Sequence, residues 1–223
     1  MDICKLLLSN KDTKYKEFQS KLIPTVEPSR VIGVRIPTLR KMARNIPEEN
    51  AKAFLSGLPH RYYDEYNLHA FLIERIKNFD ECVKRVDELL PFIDNWATCD
   101  SMMPRAFGGE EKRLLPHIMR WLASGHTYTV RYGIVLLMKL YLGENFEMWQ
   151  MDLVAERCCD EYYVNMAVAW YFATAMVTRW DMALEYIEGG KLSRAVSQMT
   201  VRKACDSFRI TKEKKAYLKS LKL

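Results

Sequence analysis

The six cysteines of this 223-residue sequence form no C-x-x-C pair, and its four histidines, His60, His69, His117 and His126, are not paired at metal-ligand spacing. The common zinc frameworks are therefore excluded, and the histidines read as surface or interface residues. There is no G-x-x-x-x-G-K-[ST], no H-E-x-x-H and no G-x-S-x-G, which removes the familiar phosphate-loop, zinc-protease and serine-hydrolase chemistries. Glycine is sparse, and Gly108-Gly109 and Gly189-Gly190-Lys191 read as helix stops rather than phosphate cradles. No stretch approaches the roughly twenty apolar residues of a membrane span. The N-terminus has a run of only three leucines and an acid at position 2, which suits neither a signal nor an anchor. These absences point to a soluble cytoplasmic protein with reduced thiols, no metal and no organic cofactor.

What the sequence does contain is helical periodicity almost throughout. With 49% hydrophobic and 28% charged residues, it can fill the core of one domain over residues 1–223. Apolar residues recur at helical spacing, as in Leu68, Phe71, Leu72 and Ile76 or Leu114, Leu115, Ile118, Met119 and Leu122, while strand-like alternation is scarce. The fold is expected to be all-α, with short helices near 2–9, 12–22, 37–46, 48–57, 61–78, 80–91, 95–106, 110–124, 127–142, 147–159, 162–179, 181–188, 193–208 and 211–221. Pro37 and Pro47 suit first turns, and Glu48 and Glu49 favour a helix's positive end. Helices that open on aromatics recur at Tyr62-Tyr63, Asn95-Trp96, Tyr128 and Tyr162-Tyr163, in steps of 33, 33 and 34 residues. That period predicts a HEAT-like α-α superhelix, a solenoid in which each helix pair leaves an apolar face for the next pair to cover.

The net charge of +6 is unevenly spread. Residues 191–223 hold ten basic side chains, Arg202, Lys203 and Arg209 among them, against two acidic ones. Arg30, Arg35, Arg40, Lys41 and Arg44 form a second cluster with no acid between them. A polyanion is one reading of these clusters and solvated helix faces another. The period also places Trp96, Asp100, Arg131 and Trp170 in the early turns of three equivalent helices, where they would line one concave, basic groove. Trp96 and Asp100, four apart, share a helix face. The alternative is that both tryptophans are core and that Asp100 and Arg131 form a structural pair.

An acid, two indoles and an arginine suit loss of a cationic, alkylated purine from deoxyribose. A carboxylate would stabilise the oxocarbenium-like sugar and orient water. Indole faces would attract the cationic base or sugar, and the guanidinium would hold a flanking phosphate. A leaving group that is already cationic needs no strong general acid. Two other uses remain open: a DNA-structure-binding solenoid without chemistry, and a protein-interaction scaffold.

Three segments, Ile93 to Asp100 (IDNWATCD), Tyr128 to Ile134 (TVRYG within it) and Val164 to Trp170 (VNMAVAW), resemble in order and spacing the groove helices of the AlkD-like DNA alkylation repair family. Val31 to Arg40 is similar to that family's early G-[IV]-x-x-P-x-x-R segment, and Arg202-Lys203 with Ser207-Phe208-Arg209 to its basic end. The resemblance spans nearly the whole chain. It implies a HEAT-like-repeat DNA glycosylase for alkylated bases, here N3- or N7-alkylated purines in duplex DNA, and an open solenoid that binds a duplex is expected to act as a monomer. Under it Asp100 is the catalytic carboxylate, Trp96 and Trp170 are aromatic walls, and Arg131 is a DNA-backbone contact. Arg202, Lys203 and Arg209 then belong to the DNA-binding surface.

Overall fold

A computed structural model describes all residues, 1–223, and the chain is helical from end to end with no strand. It divides into two compact units, Met1–Glu110 and Glu111–Leu223. The first holds α1 (Ile3–Leu8), α2 (Thr13–Leu22), α3 (Ile36–Asn45), α4 (Glu48–Leu55), α5 (Tyr63–Ile73), α6 (Phe79–Leu89) and α7 (Trp96–Ser101). The second holds α8 (Glu111–Leu122), α9 (Thr127–Leu136), α10 (Met148–Ala155), α11 (Tyr162–Thr178), α12 (Trp180–Glu188), α13 (Arg194–Asp206) and α14 (Lys212–Ser220), with a π-helical turn at Leu137–Tyr141 extending α9. No helix is long and apolar enough to cross a membrane.

Local chemistry explains where helices begin. Asp12, Asn78, Asn95, His126, Ser193 and Thr211 each accept, through the side chain, a backbone N–H of the first turn that has no helical partner. Pro37 lies in the first turn of α3, and Glu48 and Glu49 open α4. At Gly189-Gly190 the stop is real: α12 ends at Glu188, Gly190 takes φ +68°, and its N–H donates to the Ile187 carbonyl. Three helices end well before the periodicity suggests, and α5 is one of them, stopping at Ile73 instead of 78. α7 stops at Ser101 instead of reaching 106, because Pro104 drives the preceding backbone into extended conformations and donates no hydrogen bond. α10 ends at Ala155 because the Asn165 side chain binds both the N–H and the carbonyl of Cys159.

The repeat shows in what each helix touches. Within the first unit α5 packs on α3 and α7; within the second, α11 packs on α9 and α13. α5 is buried all round from Tyr63 to Ile73 and α9 from Tyr128 to Leu136, as expected of helices enclosed by neighbours, whereas α6 and α8 bury one face. Side-chain hydrogen bonds repeat at one period in sequence. Thr98 to Asn67, Arg75 to the Ala43 carbonyl, Arg131 to the Tyr163 carbonyl, Tyr186 to Asp152 and Arg157 to the Leu122 carbonyl join residues 31, 32, 32, 34 and 35 apart. Such nearest-neighbour stacking of a unit of about this length is the construction of an α-solenoid.

Two buried polar features were hidden from the sequence. Asp64, fully buried in the first turn of α5, accepts the backbone N–H groups of Ile32 (2.7 Å), Gly33 (3.1 Å) and Val34 (2.6 Å), fixing the extended segment before α3. Gly33 sits at φ +93°, where a Cβ would meet Lys16 Cβ at 2.6 Å. The second feature corrects the surface reading of His69. Its ring is fully buried on α5 and shares a 2.8 Å hydrogen bond with Nε2 of His60, which stacks on Phe54.

Burial pulls His60 down to about 4 and, with the His60 ring beside it, His69 down to about 3. Two neutral imidazoles share one hydrogen, whereas two imidazolium rings would aim N–H at N–H. Both folded values lie below the ordinary 6.5, so stability is complete above pH 6.5 and falls as the pH drops below it. For His69 the slope is about 1.4 kcal/mol per pH unit. Urea unfolding at pH 7 and pH 5 is expected to differ by roughly 2 kcal/mol from this residue, and a His69→Gln variant should lose that difference. Equal pH dependence in the two proteins would show that the ring titrates normally.

Candidate functional site

In the first unit the site rests on α7. Its N-cap, Asn95, is buried and accepts the Thr98 N–H at 2.8 Å, while the Thr98 hydroxyl donates to Asn67 of α5 at 2.9 Å. These bonds fix the first turn, and with it Trp96. The indole N–H donates to the Leu22 carbonyl at 2.9 Å, and the ring packs on a cluster of Ile23, Val26, Val31 and Tyr63. Trp96 nonetheless stays part-exposed, as does Asp100 one turn later on the same face. Trp121 is the fully buried tryptophan, whereas Trp96 packs on the core cluster while staying part-exposed and Trp170 is part-exposed. Next to the N-cap, Asp94 accepts Arg30 at 2.6 Å.

In the second unit Arg131 lies on α9 and Trp170 in the third turn of α11. Arg131 is only 6% exposed, and its Nη1 donates to the Tyr163 carbonyl at 2.8 Å, tying α9 to the first turn of α11. Tyr128 and Tyr163 pack at a tilt near this junction with ring centroids 5.7 Å apart. Trp170 is part-exposed on a helix otherwise largely buried. His126, which the sequence offered as a surface or interface residue, caps α9.

The basic clusters fare differently. Three of the five cations between residues 30 and 44 are paired within the first unit, Arg30 with Asp94, Arg35 with Asp12 at 2.8 Å and Arg40 with Glu74 at 2.7 Å. Lys41 and Arg44 stay exposed. At the C-terminal end most of the charge remains available. Lys191 lies near Asp152 and Glu185, and Lys214 covers the Trp180 ring, but Arg202 and Arg209 are exposed and Lys203 is part-exposed. Between them, in the α13–α14 turn, Phe208 is 94% exposed. The sequence alone assigns Phe208 no task. The available signal was an aromatic residue placed after a helix end and beside an arginine.

Comparison with known proteins adds the family. No curated protein matches the chain. The DNA alkylation repair enzyme family matches it over residues 3–208, running through both units and including Trp96, Asp100, Arg131 and Trp170. With nearly the whole chain matched, the protein belongs to the DNA alkylation repair enzyme family, an assignment that gives it a role in alkylation repair and DNA as its partner.

Proposed function

We propose that this member is a DNA glycosylase that hydrolyses the N-glycosidic bond of N3- or N7-alkylated purines in duplex DNA, as a monomer and without a metal or organic cofactor. The observation that carries this reading is on α7, where a part-exposed carboxylate, Asp100, lies one turn from a part-exposed indole whose N–H is held by the Leu22 carbonyl. In the reaction the C1′–N9 bond breaks and its electron pair neutralises the cationic base. Asp100 stabilises the sugar's developing positive charge and orients the water that adds to C1′, whose proton leaves to the carboxylate or solvent. Trp96 and Trp170 offer indole faces to the cationic base or sugar. Arg202, Lys203 and Arg209, with Phe208 among them, form the surface that holds flanking phosphates, whereas Arg131, buried and donating to the Tyr163 carbonyl, braces α9 against α11 rather than reaching the DNA backbone as the sequence suggests.

The test is release of free 7-methylguanine and 3-methyladenine from methylated duplex DNA by the purified protein. Release is expected without added metal, with DNA affinity that falls as salt rises, by a logarithmic slope of about 0.9 per phosphate neutralised. Absence of release at protein concentrations where the duplex is bound would leave a DNA-structure-binding solenoid, and absence of duplex binding would leave a protein scaffold.

A further inference from the structure

A concavity lies within the first unit, at the C-terminal ends of α3 and α5. It is a cleft of about 410 Å³, within the range of about 300–1,000 Å³ that accepts small ligands. Three of its lining cations, Arg44, Lys77 and Arg105, are exposed and make no ion pair. Its only acid, Glu74, is already neutralised: Oε2 accepts Arg40 at 2.7 Å and Oε1 accepts the Met103 N–H at 3.0 Å. The cleft is therefore electropositive without a competing carboxylate. An adjoining cleft shares Arg75 and Lys77 but carries two acids, Glu48 and Glu81, with Lys52 bound to Glu48 at 2.8 Å and Arg85 to Glu88 at 2.9 Å, so an anion there would meet competing carboxylates.

Arg40 supplies the second element. Its guanidinium carbon lies 4.0 Å from the centre of the Phe71 ring, and its two ends are held by Glu74 and by the Ser101 carbonyl at 3.3 Å. The side chain is still 39% exposed. With Phe71 under one face, what it shows to solvent is the other face and the edge of a fixed, planar cation. Guanidinium planes of this kind stack nucleobases, and because the plane is already ordered, little freedom is lost on binding. We propose that this cleft binds a nucleoside phosphate, its base laid on the Arg40 guanidinium and its phosphate held by Arg44, Lys77 and Arg105. The same chemistry is offered by a free nucleotide and by the unpaired terminal nucleotide of a DNA strand.

Calorimetric titration of the full chain with adenosine monophosphate, and separately with inorganic phosphate, tests the assignment. Saturable nucleotide binding is expected, at least tenfold tighter than phosphate. Arg44→Glu and Arg105→Glu, at exposed and unpaired positions, should each weaken it tenfold or more with the circular dichroism spectrum unchanged. Arg40→Lys, which keeps the charge and loses the plane, should bring the nucleotide down to the level of phosphate. No saturable binding, binding indifferent to both charge reversals, or equal affinity for phosphate and nucleotide would each overturn the proposal. Competition with a duplex carrying a one-nucleotide, 5′-phosphorylated overhang separates the sources. Displacement of the nucleotide assigns the cleft to strand ends, and no displacement assigns it to free nucleotides. None of these readouts depends on base release.

Discussion

Asp100→Asn is expected to lower single-turnover release of 7-methylguanine by about 10²- to 10³-fold, the scale on which removal of one preorganised electrostatic group slows a charge-developing step. Asparagine keeps the size and most of the hydrogen bonding of the side chain but carries no charge, so the loss falls on the step in which the sugar becomes cationic. Affinity for the methylated duplex should stay within about threefold, because phosphate contacts dominate it. Asp94→Asn is the matched control: that carboxylate sits six residues earlier and is engaged by Arg30 at 2.6 Å, so its loss should affect stability and leave the chemical step nearly intact. An unchanged rate in Asp100→Asn, or an equal loss in Asp94→Asn, would remove Asp100 from the mechanism.

Asp64→Ala should destabilise the first unit by about 4 kcal/mol. The carboxylate is the shared acceptor of three consecutive backbone N–H groups, and its removal leaves buried donors that cost about 1–3 kcal/mol apiece. Asparagine is not a substitute. One of its two terminal atoms becomes a donor facing donors, so Asp64→Asn is expected to cost about 2 kcal/mol. Urea denaturation checks both variants, with a shifted midpoint and an unchanged slope. A loss below about 1 kcal/mol in Asp64→Ala would mean that the Ile32–Val34 segment finds other acceptors.

These two aspartates show where sequence reading stops. Both lie in equivalent helices of the repeat near an aromatic opening, Asp64 in the first turn of α5 and Asp100 one turn beyond Trp96, and neither position by itself tells buried from exposed. Burial does: Asp64 has both oxygens occupied by backbone, whereas Asp100 retains access to solvent. The same holds for the arginines. Arg30, Arg35 and Arg40 read as one acid-free basic stretch, yet each meets an acid brought from 23 to 64 residues away. Arg202 and Arg209, beside the chain's C-terminal helices, meet none and stay exposed.

By itself the sequence determined the helical class, the helix starts and the period of the repeat, because these follow from interactions between residues a few positions apart. Apolar residues at i, i+3 and i+4, side-chain caps and glycine stops act within one or two turns, and they place all fourteen helices. The tertiary structure alone decided which charges are cancelled, which aspartate is sealed against the backbone, that His60 and His69 form a pair, and that Trp96 is anchored at its edge while Phe208 stands in solvent. Each of those outcomes depends on burial or on a partner from another helix. Which partner arrives is set by how successive repeats stack, a packing outcome that no short stretch of residues encodes.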